Sequence, residues 1–128
     1  MSGLLIRYGR AGHRITWIVV TDGAAGDGGR DADLARARSS EAKEAASLAS
    51  ATLVECGLPD GQLAWAAGAD AIIGQHLASM KPNLIVTHSA NDYHADHKQS
   101  RGLSVIQHQS ALQCCAPTTC SVGGYVML

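Results

Sequence analysis

The densest group of residues able to do chemistry is the segment 88–97, HSANDYHADH. It holds three histidines and two aspartates, and imidazole nitrogens and carboxylate oxygens are the usual zinc ligands where thiolates are absent. His94 and His97 are three residues apart, so at the start of a helix they share one face. Asp96 could fix the tautomer of a histidine ligand. The alternative is a polar loop whose Asp and Asn residues cap the next helix, and composition alone leaves both interpretations open.

A second group, near the C-terminus, combines His108 with Cys114, Cys115 and Cys120. It lacks the C-x-x-C pair that is typical of a zinc knuckle. Adjacent cysteines rarely bridge each other, and the chain shows no secretory signal, so we do not expect a disulfide framework.

Two apolar, β-branched runs are predicted to be buried strands, Arg14–Thr21 and Leu84–Thr87. Polar residues follow each of them, Asp22-Gly23 after the first and His88-Ser89 after the second. The glycine-rich segment 22–30 is predicted to be a loop, and the run LPDG at 58–61 a turn. Helical spacing and composition predict helices over residues 3–11, Ala35–Cys56 with Asp33 as N-cap, Gln62–Met80 and His97–Leu112.

Strands that alternate with helices of this length predict βαβ units and a parallel, doubly wound α/β sheet. Ligands of such sheets bind at the carboxyl ends of the strands. Both predicted strands end in polar residues there, so the sequence predicts a site at that edge.

Composition sets the class of protein. The chain has 128 residues, 46% apolar and 16% charged, which suits one soluble globular domain. A formal net charge of −1 without a dense basic run gives no support to nucleic-acid binding. No apolar stretch approaches the ~20 residues that span a bilayer, and Arg7 and Arg10 interrupt the only N-terminal candidate for a signal. We therefore expect a cytoplasmic protein with no membrane partner.

The last part of the chain is unusual, because residues 102–128 contain no Asp, Glu, Lys or Arg. Charged residues are mostly exposed, so a surface segment of this length normally carries several. The segment is either buried against the sheet, part of a subunit interface, or not a well-evolved part of the fold.

Several motifs occur in one order: TDGAAGD, then Arg38-x-x-Glu41, LPDG, KPNLIVTH and DYHADH. Together they resemble the PIG-L/LmbE-like family of zinc-dependent deacetylases over about residues 3–101. The resemblance implies a Rossmann-like three-layer sandwich with a mostly parallel sheet. It also implies removal of acetyl groups from N-acetylglucosamine-type sugars or related amides.

The resemblance carries roles to individual residues. His97 matches the position of a zinc ligand in the family. His94 matches the histidine that stabilises the oxyanion or protonates the leaving amine. Asp96 is assigned to catalysis with them. In this chemistry, zinc activates water and polarises the acetyl carbonyl.

By the same resemblance, the residues expected to bind the sugar are Arg38, Asp60 and Asp22. Two alternatives remain open, a surface salt bridge for Arg38 and a purely turn-forming role for Asp60. Tyr93 departs from the family spacing of a catalytic tyrosine.

One departure is larger. Family members begin with a strand that ends in His-Pro-Asp-Asp, which supplies two zinc ligands and the general base, and no such run occurs in these 128 residues. We interpret residues 1–128 as one truncated domain without the usual first strand. The zinc site would then need helpers for His97, and His88, Asp92, His94 and Asp96 all remain candidates.

A missing central strand would leave unpaired backbone edges, which favour pairing with another chain. We therefore predict a homo-oligomer, with a rearranged or exchanged sheet, and note that residues 121–128 have weak strand character that could fill the gap. The leading hypothesis is a catalytically impaired homologue of zinc-dependent amide hydrolases. The alternative is a non-catalytic oligomeric descendant that binds a small ligand or a protein.

Overall fold

The computed structural model describes residues 2–26, 29–89, 91–112 and 124–127. Its helices are α1 (Ser2–Arg10), α2 (Ala32–Leu48), α3 (Ala69–Met80) and α4 (Ala95–Leu112), with a 3₁₀ turn at Leu63–Trp65. Its strands are β1 (Arg14–Thr21), β2 (Ala25–Gly26), β3 (Gly29–Arg30), β4 (Thr52–Leu58), β5 (Leu84–Val86) and β6 (Gly124–Met127). Among the described residues, no helix is long and apolar enough to cross a membrane. The cysteines at 114, 115 and 120 lie outside the described residues.

The main sheet has four strands in the order β4-β1-β6-β5, and every pairing in it is parallel. A parallel α/β architecture, as expected for a Rossmann-like fold, is therefore confirmed. The three-layer sandwich stays a prediction. A separate antiparallel pair, β2 with β3, closes the loop after β1.

The C-terminal strand β6 lies in the middle of this sheet. Its Val126 pairs with Thr16 of β1 on one side and with Ile85 of β5 on the other. Residues 124–127 of the uncharged tail thus occupy a central position in the sheet, in line with the strand character that the sequence has over residues 121–128. Because β6 pairs both neighbours within one chain, the edges that motivated the oligomer prediction are covered; the oligomer itself stays a prediction.

The alternating side chains of β1 have different neighbours. Ile18 and Val20 belong to the main buried cluster, which also contains Leu63, Ile73 and Leu77. The odd-numbered residues of β1 contact other groups: Ile15 packs in a smaller cluster with Ala49. Successive side chains of a strand point to opposite faces of the sheet. Trp17, Val19 and Thr21 therefore share one face, which lines the cavity described below.

One predicted element is wrong. The helix expected over Ala35–Cys56 ends at Leu48, and its last part is the strand β4. The chain turns at Ser50, whose φ of 52° is left-handed, and that conformation ends a helix in the way a glycine usually does. The helix N-cap is also Asp31 and not Asp33, because the Asp31 carboxylate accepts from the Asp33 and Leu34 amides.

The helix expected over Gln62–Met80 is likewise shorter. Residues 63–65 form the 3₁₀ turn, and α3 begins only after Gly68, which has a φ of 77°. The predicted elements at 3–11, Arg14–Thr21 and 84–87 occur within one or two residues of their predicted bounds.

Candidate functional site

A cavity of about 670 Å³ lies between the strands β1 and β4 and the helix α2. One end of it, called the mouth below, is lined by residues at the carboxyl ends of the strands, such as Thr21, Asp22 and Asp60, where a parallel sheet is expected to bind ligands. The residues predicted for the site that line it are Asp22, Arg38, Asp60, His94 and His97. These five come from four separate parts of the chain, so the fold brings them together.

Two aspartates join the loops that follow β1 and β4. The Asp22 carboxylate accepts hydrogen bonds from the backbone N–H groups of Ala24 (3.1 Å) and Asp60 (3.2 Å) and pairs with Arg30. The Asp60 carboxylate accepts from the Thr21 hydroxyl and from the Ala25 N–H, each at 3.2 Å. The two loops are thereby joined to each other, and the Asp60 carboxylate links its turn to the loop after β1; its binding role stays a prediction.

The charge of Asp22 is stabilised by the same contacts. Burial opposes ionisation of this carboxyl, but the Ala24 amide, the Arg30 guanidinium and the Asp60 amide outweigh it and lower its pKa. Asp22 is therefore an anion at neutral pH.

Gly23 determines where Arg38 lies. Its φ of +66° is left-handed, and a Cβ added there would lie 2.6 Å from the Arg38 Cδ. Only glycine fits this position without moving the arginine. The Arg38 side chain thus lies against the loop at the mouth of the cavity, and glycine in the run TDG leaves space for it.

Three imidazoles cluster on the other side of the mouth. The rings of His88 and His97 are stacked, with centroids 3.8 Å apart and planes within 3° of parallel. The His94 ring lies 4.6 Å from that of His97. Desolvation, followed by the proximity of His97, lowers the pKa of His88 despite the nearby Asp92 charge. A neutral His88 offers a nitrogen lone pair.

Asp92 faces this stack with one oxygen. Its Oδ1 accepts from the His94 N–H at 2.9 Å. Its Oδ2 lies 3.0 Å from His97 Nδ1 and 3.9 Å from His88 Nδ1. The His94 amide is the first cause that lowers the Asp92 pKa, and the two histidines add to it. His88 and Asp92 are outside the cavity lining but adjoin it through His97.

Two histidine atoms have unusual surroundings. Nδ1 of His94 and Nδ1 of His97 are buried without a hydrogen-bond partner. The 3.0 Å approach of His97 Nδ1 to Asp92 therefore lacks hydrogen-bond geometry. Buried nitrogens normally have a hydrogen-bond partner. The cluster is therefore suited to bind a group that interacts with these nitrogens.

Asp96 has a different position from the other predicted residues. It is 5% exposed, and its carboxylate accepts from the backbone N–H groups of Gly61 (2.6 Å) and Leu63 (3.2 Å). It does not line the cavity. Asp96 thus connects the start of α4, which carries His97, to the turn that carries Asp60. Its catalytic role stays a prediction, whereas this connecting role is visible.

Replacing Asp96 with Asn should destabilise the domain by about 1–3 kcal/mol, because an amide group can accept one of these hydrogen bonds but not both. Urea unfolding measures the change. The exposed Asp70→Asn, in the first turn of α3, is the matched control and should cost a few tenths of a kcal/mol. Equal losses for the two variants would contradict the connecting role.

The sequence did not identify two further lining residues, Trp17 and Glu55. Trp17 lies on the predicted strand β1, where the alternation of side chains could have placed it on the Thr21 face. Glu55 lies on β4, which was predicted to be helical, so the prediction did not place it on a strand. A hydrogen bond from Ser39 is the largest cause that lowers its pKa, and Lys43 adds to it. Tyr93, by contrast, is 93% exposed and lies outside the lining.

One comparison with known proteins found a family. A protein-family model described as PIG-L, GlcNAc-PI de-N-acetylase, matches residues 1–105. A search of curated proteins gave no match. The matched range contains all the residues of the cavity and the histidine cluster.

Proposed function

Because the chain belongs to the PIG-L family of GlcNAc-PI de-N-acetylases, we propose that it is a catalytically impaired homologue, which hydrolyses the acetamide of an N-acetylated amino sugar slowly at the mouth of the cavity, with zinc as cofactor. A deacetylase-like function is what the family indicates. The observation that supports the finer proposal is the convergence of Arg38, Asp60, His94 and His97 on one cavity. These four residues could bind a sugar, donate a proton and hold a metal.

The residues near His97 fit a divalent metal. The buried His97 Nδ1 makes no hydrogen bond and lies 3.0 Å from the Asp92 carboxylate, and imidazole with carboxylate is a zinc-type donor set. His97 would hold the metal from the cavity side. When bound, the metal would act as a Lewis acid on the acetyl carbonyl.

His94 is placed to move a proton. It lines the cavity, and its backbone N–H is fixed by Asp92, which holds the residue just before α4. An imidazole at this position can donate a proton to the leaving nitrogen or a hydrogen bond to the developing oxyanion. Its place beside His97 puts that donor next to the metal-holding residue.

Arg38 and the carboxylates at the mouth would bind the sugar. Arg38 offers a fork of N–H donors to hydroxyl oxygens, and its position is set by Gly23. Asp60 has both oxygens engaged with Thr21 and Ala25, so it would bind a sugar hydroxyl only by sharing an oxygen. Trp17, which lines the cavity midway along β1, would offer an apolar face to a sugar ring.

Arg38→Met should raise KM about tenfold or more and leave kcat nearly unchanged, because a lost charge-assisted hydrogen bond costs about 1.5–3 kcal/mol of binding. Gly23→Ala should shift KM in the same direction by displacing Arg38. The control is Arg36→Met, since Arg36 is exposed and pairs with Asp33 on the same helix. A fall in kcat with unchanged KM would contradict a binding role for Arg38.

Release of acetate from N-acetylglucosamine glycosides, followed by proton NMR after reconstitution with Zn²⁺, tests the proposed function. Turnover that chelation abolishes and zinc restores supports it. Saturable binding of the glycoside without acetate would refute hydrolysis and favour the alternative of a binding-only descendant. A homo-oligomer stays part of the proposal, and light scattering on the same sample measures it.

A further inference from the structure

We propose that His88 and Asp92 complete the metal site of this chain together with His97. The inference deepens the proposed function, on which it rests, because it names the ligands at the same centre. The sequence left four helpers for His97 open, and the structure favours two of them.

The first observation is proximity. One ligand atom from each of His88, Asp92 and His97 lies within 4.8 Å of the others. His97 Nδ1 and Asp92 Oδ2 are 3.0 Å apart without hydrogen-bond geometry. Two donors that each lie about 2.1 Å from one ion are separated by roughly this distance. A cation placed between them would give the buried nitrogen the partner that it lacks.

The second observation is orientation. The Asp92 carboxylate is held through Oδ1 by the His94 N–H, which leaves Oδ2 directed at the two imidazoles. A ligating carboxylate fixed by a hydrogen bond to its other oxygen is the usual arrangement around protein metals. The rings of His88 and His97 are stacked in nearly parallel planes, so one ring must tilt for the in-plane lone pairs of both to reach the same ion.

The other two helpers are used elsewhere. Asp96 binds the amides of Gly61 and Leu63 with its carboxylate. His94 lines the cavity but is not part of the three-residue group, among the residues that the structure describes. This division leaves the His94 imidazole available for proton transfer.

The site is accessible to an ion. The side chains of His88, Asp92 and His97 are 22%, 19% and 39% exposed. His97 also lines the cavity, so an ion held by the three residues would border the space in which a substrate binds.

Titration of the metal-free full chain with Co²⁺, followed by visible absorption and by calorimetry, tests the inference without any turnover. We expect one ion per chain. His88→Gln and Asp92→Asn should each weaken Co²⁺ binding at least about tenfold. His76→Gln on α3, outside the cavity lining, is the matched control and should bind as the wild type does.

A variant that gains a spectroscopic signal gives evidence that loss of folding cannot mimic. In His88→Cys, a thiolate would replace the imidazole as ligand, so Co²⁺ should produce a thiolate charge-transfer band in the near ultraviolet beyond that of the wild type. The wild type carries the same four native cysteines, and His76→Cys should add no band.

The outcomes separate the two levels of the proposal. Co²⁺ binding that depends on His88 and Asp92 supports the ligand set even if no acetate is released, in which case the proposed function alone fails. Unchanged Co²⁺ affinity in His88→Gln and Asp92→Asn, together with no new band in His88→Cys, overturns the ligand set whether or not acetate is released.

Discussion

Val126→Pro is expected to destabilise the domain by at least about 3 kcal/mol, and deletion of residues 124–128 to abolish cooperative unfolding. Val126 is paired on both sides, with Thr16 and with Ile85. Proline lacks the N–H that a central strand donates to its neighbour, and its ring does not fit between two paired strands. Without β6, the strand β5 has no partner among the described strands of the sheet. Chemical unfolding followed by circular dichroism measures both effects.

The control for this substitution is Val126→Ile, which keeps the β-branched side chain and the backbone donor. It should change the free energy of unfolding far less than the proline variant does. Light scattering on the shortened chain adds a second readout, because the exposed edges of β1 and β5 would favour self-association. A proline variant as stable as the wild type would show that β6 is not a central strand in solution.

His94→Gln is expected to lower kcat by about 10²–10⁴-fold, the usual contribution of a positioned acid or base, while leaving Co²⁺ affinity unchanged. His94 lines the cavity next to His97 but is outside the three-residue group around Asp92. Acetate release and Co²⁺ titration on the same preparation measure the two properties separately. His76→Gln is again the control.

Two results would contradict the role assigned to His94. Loss of Co²⁺ binding in His94→Gln would place this residue among the ligands. A decrease in kcat of less than tenfold, with metal bound, would mean that the leaving nitrogen obtains its proton from another group.

The elements with local signals were predictable. β1 is a continuous apolar, β-branched run, and α1 and α4 follow helical spacing, so local propensity and tertiary contacts agree there. The boundary between α2 and β4 was not predictable in this way. The break is made by Ser50 in a left-handed conformation within an alanine-rich segment, where neither glycine nor proline marks it. The β-branched residues Thr52 and Val54 are a weak strand signal, and the helix-forming composition of the preceding residues outweighed it.

The position of β6 in the sheet was not predictable from the sequence, for a different reason. Its pairing with β1 joins residues more than a hundred positions apart, and no local pattern specifies such a contact. The lack of charge in residues 102–128 left burial against the sheet as one of three interpretations, and it did not indicate which strands would flank residues 124–127.

The candidate site was predictable in its residue types and only partly in its geometry. The spacing of His94 and His97 indicated that they lie together, which their 4.6 Å ring separation bears out. The stacking of His88 on His97 depends on the course of the loop between β5 and α4, and sequence spacing does not define it. Burial of Asp96 under the Gly61 and Leu63 amides likewise depends on two loops meeting in space.

The most direct test of a metal centre at the mouth of the cavity is an anomalous difference map, recorded at the zinc absorption edge from crystals of the full chain grown with Zn²⁺. The account predicts one strong peak within about 2.0–2.2 Å of a donor atom of each of His88, Asp92 and His97. A peak elsewhere in the chain, or no peak at these residues, would contradict it.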